Sequence, residues 1–349
     1  MNQQFPTLKQ TTLKLRDQFN RPLTDLRLSV TDRCQLRCHY CMPTRSGSGF
    51  SFLKPDDYLS FEQIEALCHI FVDLGVTKIR LTGGEPLLRP GLTDLIGRLS
   101  AINGLKDLAL TTNGILLSDH AEKLLASGLN RLTVSLDTLH NASFQKLSGS
   151  NSNVDKVLDG IKVAQQAGFK TIKINTVILQ GINDHEILKI AEYFRGTCHI
   201  VRFIEYMDVG TLNQWDLESV VPNSKILSQI NAKYPLKPLS PRHYGEVASR
   251  YAYEDDQGEV GFISSITQPF CGSCTRLRLS ADGKLYNCLF AGEGHDLTKA
   301  LDNGLNDCHI SAFIADLWAK RADKYSENRS LFHHLQENIQ KIDMFRIGG

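Results

Sequence analysis

The sequence contains no run of about 18 apolar residues, so no transmembrane helix is expected. Its opening, Met1-Asn-Gln-Gln-Phe-Pro-Thr-Leu-Lys-Gln, lacks the apolar core of a signal peptide, and the expectation is a cytoplasmic protein. Charge of one sign is also in short supply. The formal net charge is +1, which argues against a broad nucleic-acid or acidic-membrane surface and leaves room for a local basic pocket. There is no low-complexity tract, and no repeat beyond a strand–helix alternation. An even cysteine count is missing too: there are nine, and an odd number in a chain of this kind argues against a disulfide framework. Six of the nine form two tight groups, at positions 34, 38, 41 and 271, 274, 288, and neither group has an obvious fourth member. Cys68, Cys198 and Cys308 stand apart and read as small buried hydrophobes, Cys68 on a helix face beside Ile64, Leu67 and Phe71.

What is present is an ordinary globular composition. Hydrophobic residues make up 42% and charged residues 22% of 349, enough for one large domain or two modest ones. Residues 1–20 are polar and read as an N-terminal extension. Leu26-Arg-Leu-Ser-Val-Thr31 reads as a strand running into the first cysteine group, and 44–55 as a Gly-, Ser- and Pro-rich loop. Ser60-Phe-Glu-Gln63 has the form of a capping box, with Leu59 and Ile64 as its staple, and Gly75 ends the helix it opens. Further strands are expected at 77–82, 106–112, 131–136, 170–178 and 199–206. Helices are expected at 91–101, 118–127, 154–167 and 184–195, the last capped by Asn183 with Glu186, with Gly168 and Gly196 as stops. Alternation with short loops means a parallel sheet covered by helices. About six units are countable where a closed barrel has eight, so the expected architecture is an α/β, incomplete parallel (β/α) barrel over 21–215. A doubly wound open sheet is the alternative. From 216 to 349 the prolines at 222, 235, 238 and 241 break the alternation. Short strands are expected around the second cysteine group at 244–290, then helices on a polar surface at 296–342.

The first cysteine group is Cys34-Gln-Leu-Arg-Cys38-His-Tyr-Cys41, a C-x₃-C-x₂-C spacing. A zinc site usually wants four protein ligands. A four-iron cube usually takes four cysteines, so three leave one iron open. The second group, Cys271-Gly-Ser-Cys274 with Cys288, is again three; His295 or Cys308 would complete a zinc site there, and that alternative stays open beside a second cube. Gly83-Gly84-Glu85-Pro86 follows the second strand, where side chains are least in the way of a ligand. Thr111-Thr-Asn-Gly, Ser135-Leu-Asp137, Asn175 and Glu205-Tyr-Met207 sit on or at the ends of the later strands, the rim where barrel sites form. Arg27, Arg80 and Lys173 lie on strands, where an inward charge requires a partner.

The C-x₃-C-x₂-C stretch, with Tyr40 before its last cysteine and Gly-Gly-Glu-Pro downstream, resembles the radical S-adenosylmethionine (SAM) enzymes. Cys-Gly-Ser-Cys-Thr-Arg-Leu-Arg-Leu, Asp282-Gly-Lys-Leu, Cys288-Leu-Phe, Phe203-Ile-Glu-Tyr-Met-Asp-Val-Gly210 and the closing Gly348-Gly349 narrow this to the GTP 3′,8-cyclase family. The resemblance spans nearly the whole chain; an N-terminal extension of about ten residues and the insert after Pro43 depart from it. It implies a first 4Fe-4S cluster on Cys34, Cys38 and Cys41, and a second on Cys271, Cys274 and Cys288 whose free iron receives guanine. It implies SAM contacts at Tyr40, Gly84, Ser135 and Met207. GTP contacts are implied at Arg27, Arg80, Thr111, Lys173, Arg276, Leu277 and Arg278. It gives Arg27, Arg276, Arg278, Gly348 and Gly349 catalytic roles. It further implies an external electron donor, a homodimer, and hand-over of product to cyclic pyranopterin monophosphate synthase. The activity it implies is the first step of molybdenum-cofactor biosynthesis. An iron–sulfur or zinc protein without catalysis is the competing class, and Gly-Gly-Glu-Pro argues against it because electron transfer needs no cosubstrate pocket.

Overall fold

Side-chain alternation along the strands sets the architecture. In the computed structural model, residues 15–42, 51–211, 213, 215–298, 307–329 and 341–348 are described. Six strands follow in order: β1 (Asp25–Ser29), β2 (Lys78–Thr82), β3 (Asp107–Thr112), β4 (Arg131–Ser135), β5 (Ile172–Ile178) and β6 (Ile200–Glu205). Neighbours among them pair in parallel. Leu26, Leu28, Ile79 and Leu81 are fully buried on the helix-covered side, while Arg27 and Arg80 between them point to the concave side. The covering helices are α1 (Phe61–Asp73), α2 (Leu92–Ser100), α3 (Leu117–Ala126), α4 (Asn141–Ser148), α5 (Val154–Ala167) and α6 (Ile187–Phe194). The Ser60–Gln63 capping box forms as expected, with both reciprocal hydrogen bonds.

The sheet does not stop at six strands. After α7 (Asn223–Lys233) come β7 (Leu236–Leu239), β8 (Ser249–Tyr253), β9 (Glu259–Ile263), β10 (Arg276–Leu279), β11 (Lys284–Tyr286) and β12 (His295–Asp296). The order is β12-β11-β10-β1-β2-β3-β4-β5-β6-β9-β8-β7. β9 joins β6 and β10 joins β1, both in parallel, so late strands extend the sheet at both edges. Arg276 of β10 and Ile263 of β9 nevertheless border one cavity. The sheet therefore curls into an open-sided barrel.

Several local expectations are corrected. Asn183 and Glu186 do not cap α6: the Asn183 amide donates to the carbonyls of Asp137 (2.8 Å) and Val177 (2.9 Å), and Glu186 accepts from Thr138 and Leu139. Residues 184–186 form a 3₁₀ turn instead. Helices α4 and α7 were not anticipated, the former because His140-Asn-Ala-Ser-Phe shows little helical periodicity. Cys198 and Cys308 are exposed rather than buried, one in the loop before β6, the other on the outer face of α8 (Asp307–Ala319). α8 is no purely polar surface helix: Ile310, Ile314 and Trp318 are buried, and it packs on α1. The extension to residue 14, the insert at 43–50, and parts of 296–342 lie outside the described residues.

Candidate active site

The first cysteine loop leaves the carboxyl end of β1 and is held by two neighbours. The missed helix α4 accepts Arg37 N–H at Ser148 O (2.7 Å) and His39 N–H at Leu147 O (2.9 Å). The Gly83-Gly84 turn presses on the loop's root, where a Cβ on Gly84 would collide with the Arg33 carbonyl. Gly84 N–H donates to Thr31 O and Glu85 N–H to Arg33 O, each at 2.8 Å. Glu85, fully buried, accepts from Leu87 N–H, Thr112 Oγ1 and Asn113 N–H and so ties this turn to the end of β3. The glycines thus serve a backbone-to-backbone approach as well as an open rim.

Cys34, Cys38 and Cys41 are free and border one cavity of about 170 Å³, together with Tyr40, Gly84, Ser135, Asn175 and Met207. Tyr40 donates to Asp137 Oδ2 at 2.7 Å, fixing its ring at the cavity edge. Burial, then Glu85, pushes the Cys34 thiol up to about 11. Burial and the neighbouring thiols raise Cys38 and Cys41 as well. Crowded thiolates repel one another in a low dielectric, and a bound metal cluster reverses that balance. Among the described residues no three Cys, His, Asp or Glu side chains sit close enough to hold a single metal ion. What each triad offers is thiols arrayed around a cavity, a donor set suited to a thiolate-ligated cluster with a corner to spare.

Below this cavity lies a wall of cations. In the strand register Arg27 stands between Arg278 on β10 and Arg80 on β2. Adjacent strands lie about 4.8 Å apart, so three guanidinium stems are stacked side by side, an arrangement that is destabilising unless an anion answers it. Burial, followed by the other arginines, lowers Arg27 well below its ordinary value. Burial likewise brings Arg80 and Arg278 to about 10 and Arg202 to about 9. Lys173 falls to about 7, through burial and then Arg202. Arg80 Nη1 donates to Thr111 (3.1 Å) and Thr133 (2.9 Å), but its Nε has no partner. Neither has Arg202 Nε, Asn175 Oδ1 or Asn287 Oδ1. These buried, unanswered polar atoms belong to residues that line one cavity of about 140 Å³.

The same cavity is bordered by Cys271, Cys274 and Cys288. Neither His295 nor Cys308, which would complete a zinc site, lines it. Cys271 and Cys274 lie just before β10, beside the start of β1, where Asp25 N–H donates to Thr275 O and Thr275 Oγ1 to Asp25 Oδ2. The two triads therefore flank opposite ends of β1, whose length is about 13 Å at roughly 3.3 Å per residue. Burial disfavours the Cys274 thiolate, yet Arg276 and Arg321, donating to its sulfur at 3.4 and 3.3 Å, bring it to about 6. Arg321 is itself oriented by Asp323 (2.7 Å).

The end of the chain enters this region. In α9 (Met344–Ile347) Phe345 and Ile347 are buried, and Met344 borders the first-triad cavity. Gly348 has φ +68° and its carbonyl accepts from Arg278 Nη1; a Cβ there would collide with Thr82. Gly349 lies outside the described residues.

The structure thus gathers Tyr40, Gly84, Ser135 and Met207 around the first triad, and Arg27, Arg80, Arg276 and Arg278 around the second. Thr111 borders the first-triad cavity, reaching the cations through its bond from Arg80. The Leu277 side chain faces away, into the core, as its place between Arg276 and Arg278 dictates. Lys173 lies lower, with Lys78, Arg131 and Arg202. Arg202 and Lys78 escaped the sequence reading. The signal was there: each is a cation in a strand at the same parity as an inward residue.

Two family profiles match: Radical SAM superfamily over residues 28–194 and Molybdenum Cofactor Synthesis C over 199–327. The chain is 50% identical over 335 residues to a GTP 3′,8-cyclase of Xanthomonas campestris pv. campestris, covering 96% of this chain and 97% of that one. It is 50% identical to the GTP 3′,8-cyclase of Acidothermus cellulolyticus (92% and 90% covered) and 44% to that of Staphylococcus carnosus (96% and 99%). Among solved structures, Streptococcus suis SuiB bound to precursor peptide SuiA superposes with TM-score 0.60 at 14% identity, covering 89% of this chain and 68% of that one. SuiB bound to S-adenosylmethionine gives 0.58 at 15%, covering 83% and 67%. These structures share the fold.

Proposed function

The chain belongs to the GTP 3′,8-cyclase family of the radical SAM superfamily, and from that premise we propose that it converts GTP to (8S)-3′,8-cyclo-7,8-dihydroguanosine 5′-triphosphate. This is the first step of molybdenum-cofactor biosynthesis. The observation that carries the reading is the in-register Arg278–Arg27–Arg80 wall facing a cavity walled by the second cysteine triad. When bound, the SAM cluster supplies the electron that splits SAM into methionine and the 5′-deoxyadenosyl radical that takes hydrogen from the ribose.

The residues around that chemistry bind, orient and exclude water. Cys34, Cys38 and Cys41 would hold the first 4Fe-4S cluster, and Tyr40, Gly84, Ser135 and Met207 would bind SAM in the same cavity. Cys271, Cys274 and Cys288 would hold a second 4Fe-4S cluster, whose open iron would receive the guanine. Arg27, Arg80, Lys173, Arg276 and Arg278 take the triphosphate, joined by Arg202, because planar guanidinium groups bind phosphate oxygens in pairs. Thr111 orients Arg80, and Leu277 contributes through its backbone alone. Arg278 also holds the Gly348 carbonyl, which ties the tail to the nucleotide's arginines, and Gly348 and Gly349 take part in the cyclisation. In this reading 1–20 is an N-terminal extension, 21–215 the radical SAM partial barrel and 216–349 the helical region that carries the second cluster. The protein is cytoplasmic and homodimeric, draws electrons from an external donor, and hands its product to cyclic pyranopterin monophosphate synthase.

The test is anaerobic turnover with GTP, SAM and dithionite, following 5′-deoxyadenosine and the cyclised nucleotide. Cys34→Ala, Cys38→Ala or Cys41→Ala should abolish 5′-deoxyadenosine formation while the second cluster stays. Cys271→Ala, Cys274→Ala or Cys288→Ala should lose the second cluster's iron and all cyclised product while the fold persists. Native protein that forms no cyclised nucleotide, or a second-triad variant with full activity, overturns the reading.

A further inference from the structure

The cavities of the molecule form a series with shared walls. The first-triad and second-triad cavities share Asn175, Ile204 and Met207. The second-triad cavity continues past Arg27, Arg80 and Arg276 into a small basic pocket. That pocket in turn shares Arg131 and Lys173 with a larger cavity of about 680 Å³. This outer cavity lies at the amino ends of β4, β5 and β6, the rim opposite the first cysteine loop: Arg131 opens β4 and Ile200 opens β6. The described residues on its wall include the cations Arg131, Lys170, Lys173 and Arg242 and one carboxylate, Glu259. Glu259 is already answered by Arg242 (2.9 Å) and Arg250 (2.6 Å). Arg131 is likewise held by Asp107 (2.7 Å), so the positive charge the wall offers to a ligand comes from Lys170 and Lys173, and the wall leads inward to the arginines.

We propose that this outer cavity is a subsite for phosphate groups beyond the third, so that the protein binds guanosine 5′-polyphosphates and GTP substituted on its γ-phosphate. The inference rests on the orientation of GTP proposed above. A guanine at the second triad with phosphates on Arg27, Arg80 and Arg276 directs the chain toward Lys173 and Arg131, which border both the basic pocket and the outer cavity. An extension at that end meets space and positive charge. An extension on the base meets the cluster wall, where Phe270 stacks under Arg276 and no comparable volume exists among the described residues. A cationic mouth also draws a polyanion in from solution.

The experiment is calorimetric titration of the reconstituted native protein, with SAM, by GTP, guanosine 5′-tetraphosphate, γ-aminohexyl-GTP and a base-substituted aminohexyl-GTP. The tetraphosphate and the γ-substituted nucleotide should bind at least as tightly as GTP, to within about threefold, and the base-substituted one should not bind. Lys170→Glu, outside the proposed GTP contacts, should weaken the tetraphosphate about tenfold and GTP far less, since it reverses a charge next to the added phosphate alone. If GTP binds and both extended nucleotides are excluded, the outer cavity is not a subsite. If the tetraphosphate binds but Lys170→Glu leaves it unchanged, the added phosphate lies elsewhere and the proposal falls. Failure of GTP itself to bind overturns the reading of the active site instead.

Discussion

Lys173 is a cation of the proposed site whose charge burial makes easy to lose. Burial and the guanidinium groups of Arg202, Arg131 and Arg80 bring its pKa to about 7, so the ammonium is present below that value and fades above it. GTP affinity in the native protein should therefore fall as pH rises from about 6 to 8.5. A charge-assisted hydrogen bond is worth about 1.5–3 kcal/mol, and one proton lost above a pKa of about 7 limits the effect by pH 8.5, so the loss should approach about ten- to thirtyfold. Lys173→Arg, which keeps its charge across this range, should flatten the profile relative to native when both are titrated in the same buffers. A native profile without that slope would mean that Lys173 does not touch the nucleotide. At this scale the cysteines were the most legible residues, because their spacing has few uses. Arg202 was not, since one arginine in Ile200–Glu205 looks like any solvated charge until the neighbouring strands show that it faces the second-triad cavity. Leu277 shows the converse: its place in a family motif concealed that its side chain belongs to the core.

At the scale of elements, the tail is the most exacting piece. α9 is only Met344–Ile347, and Gly348 follows with a left-handed φ of +68° against Thr82. Gly348→Ala adds both a strained backbone and a collision, so the tail should withdraw from Arg278. We expect native iron content and near-native melting, continued SAM cleavage, and at least a tenfold loss of cyclised product, a ratio read directly from 5′-deoxyadenosine against nucleotide product. Equal loss of both products would assign the tail to SAM binding instead. The strands and helices up to residue 205 were legible because their apolar periods are clean and their caps are local. α4 was not, yet its last carbonyls hold the cysteine loop. Asn183 and Glu186 carried a correct local pattern whose hydrogen bonds went to Asp137, Val177 and Thr138, partners that sequence spacing cannot reveal.

For the whole molecule, the barrel and the C-terminal region are one sheet. Residues 28–194 match one family profile, but a chain ending at residue 194 would leave β1 without β10 and stop before β6 and β9 are reached. Open strand edges template association. A chain cut after residue 194 should be largely insoluble, or elute from size-exclusion chromatography as aggregate, even with the first cluster supplied; a soluble monomer would show that the edges are protected otherwise. The alternation that identified the barrel could not reveal these edge strands, because β9 and β10 come from the segment in which the alternation fails. Their places depend on contacts far apart in sequence, and the same contacts bring the second triad to the foot of β1.

That pairing also has a clock in it. Asp25 and Thr275 are 250 residues apart. At roughly 5–20 residues per second of synthesis, β1 waits about 12–50 seconds for β10 to be made. Within that interval the first cysteine loop and its rim, through Met207, are completed, whereas the arginine wall still lacks Arg276 and Arg278 and the second triad has not been translated. Iron delivered to a nascent chain can thus reach only the first triad. Chains arrested just before residue 271 should carry that cluster alone, and release of the arrest should add the second afterwards, an order visible as successive rises in iron bound per chain.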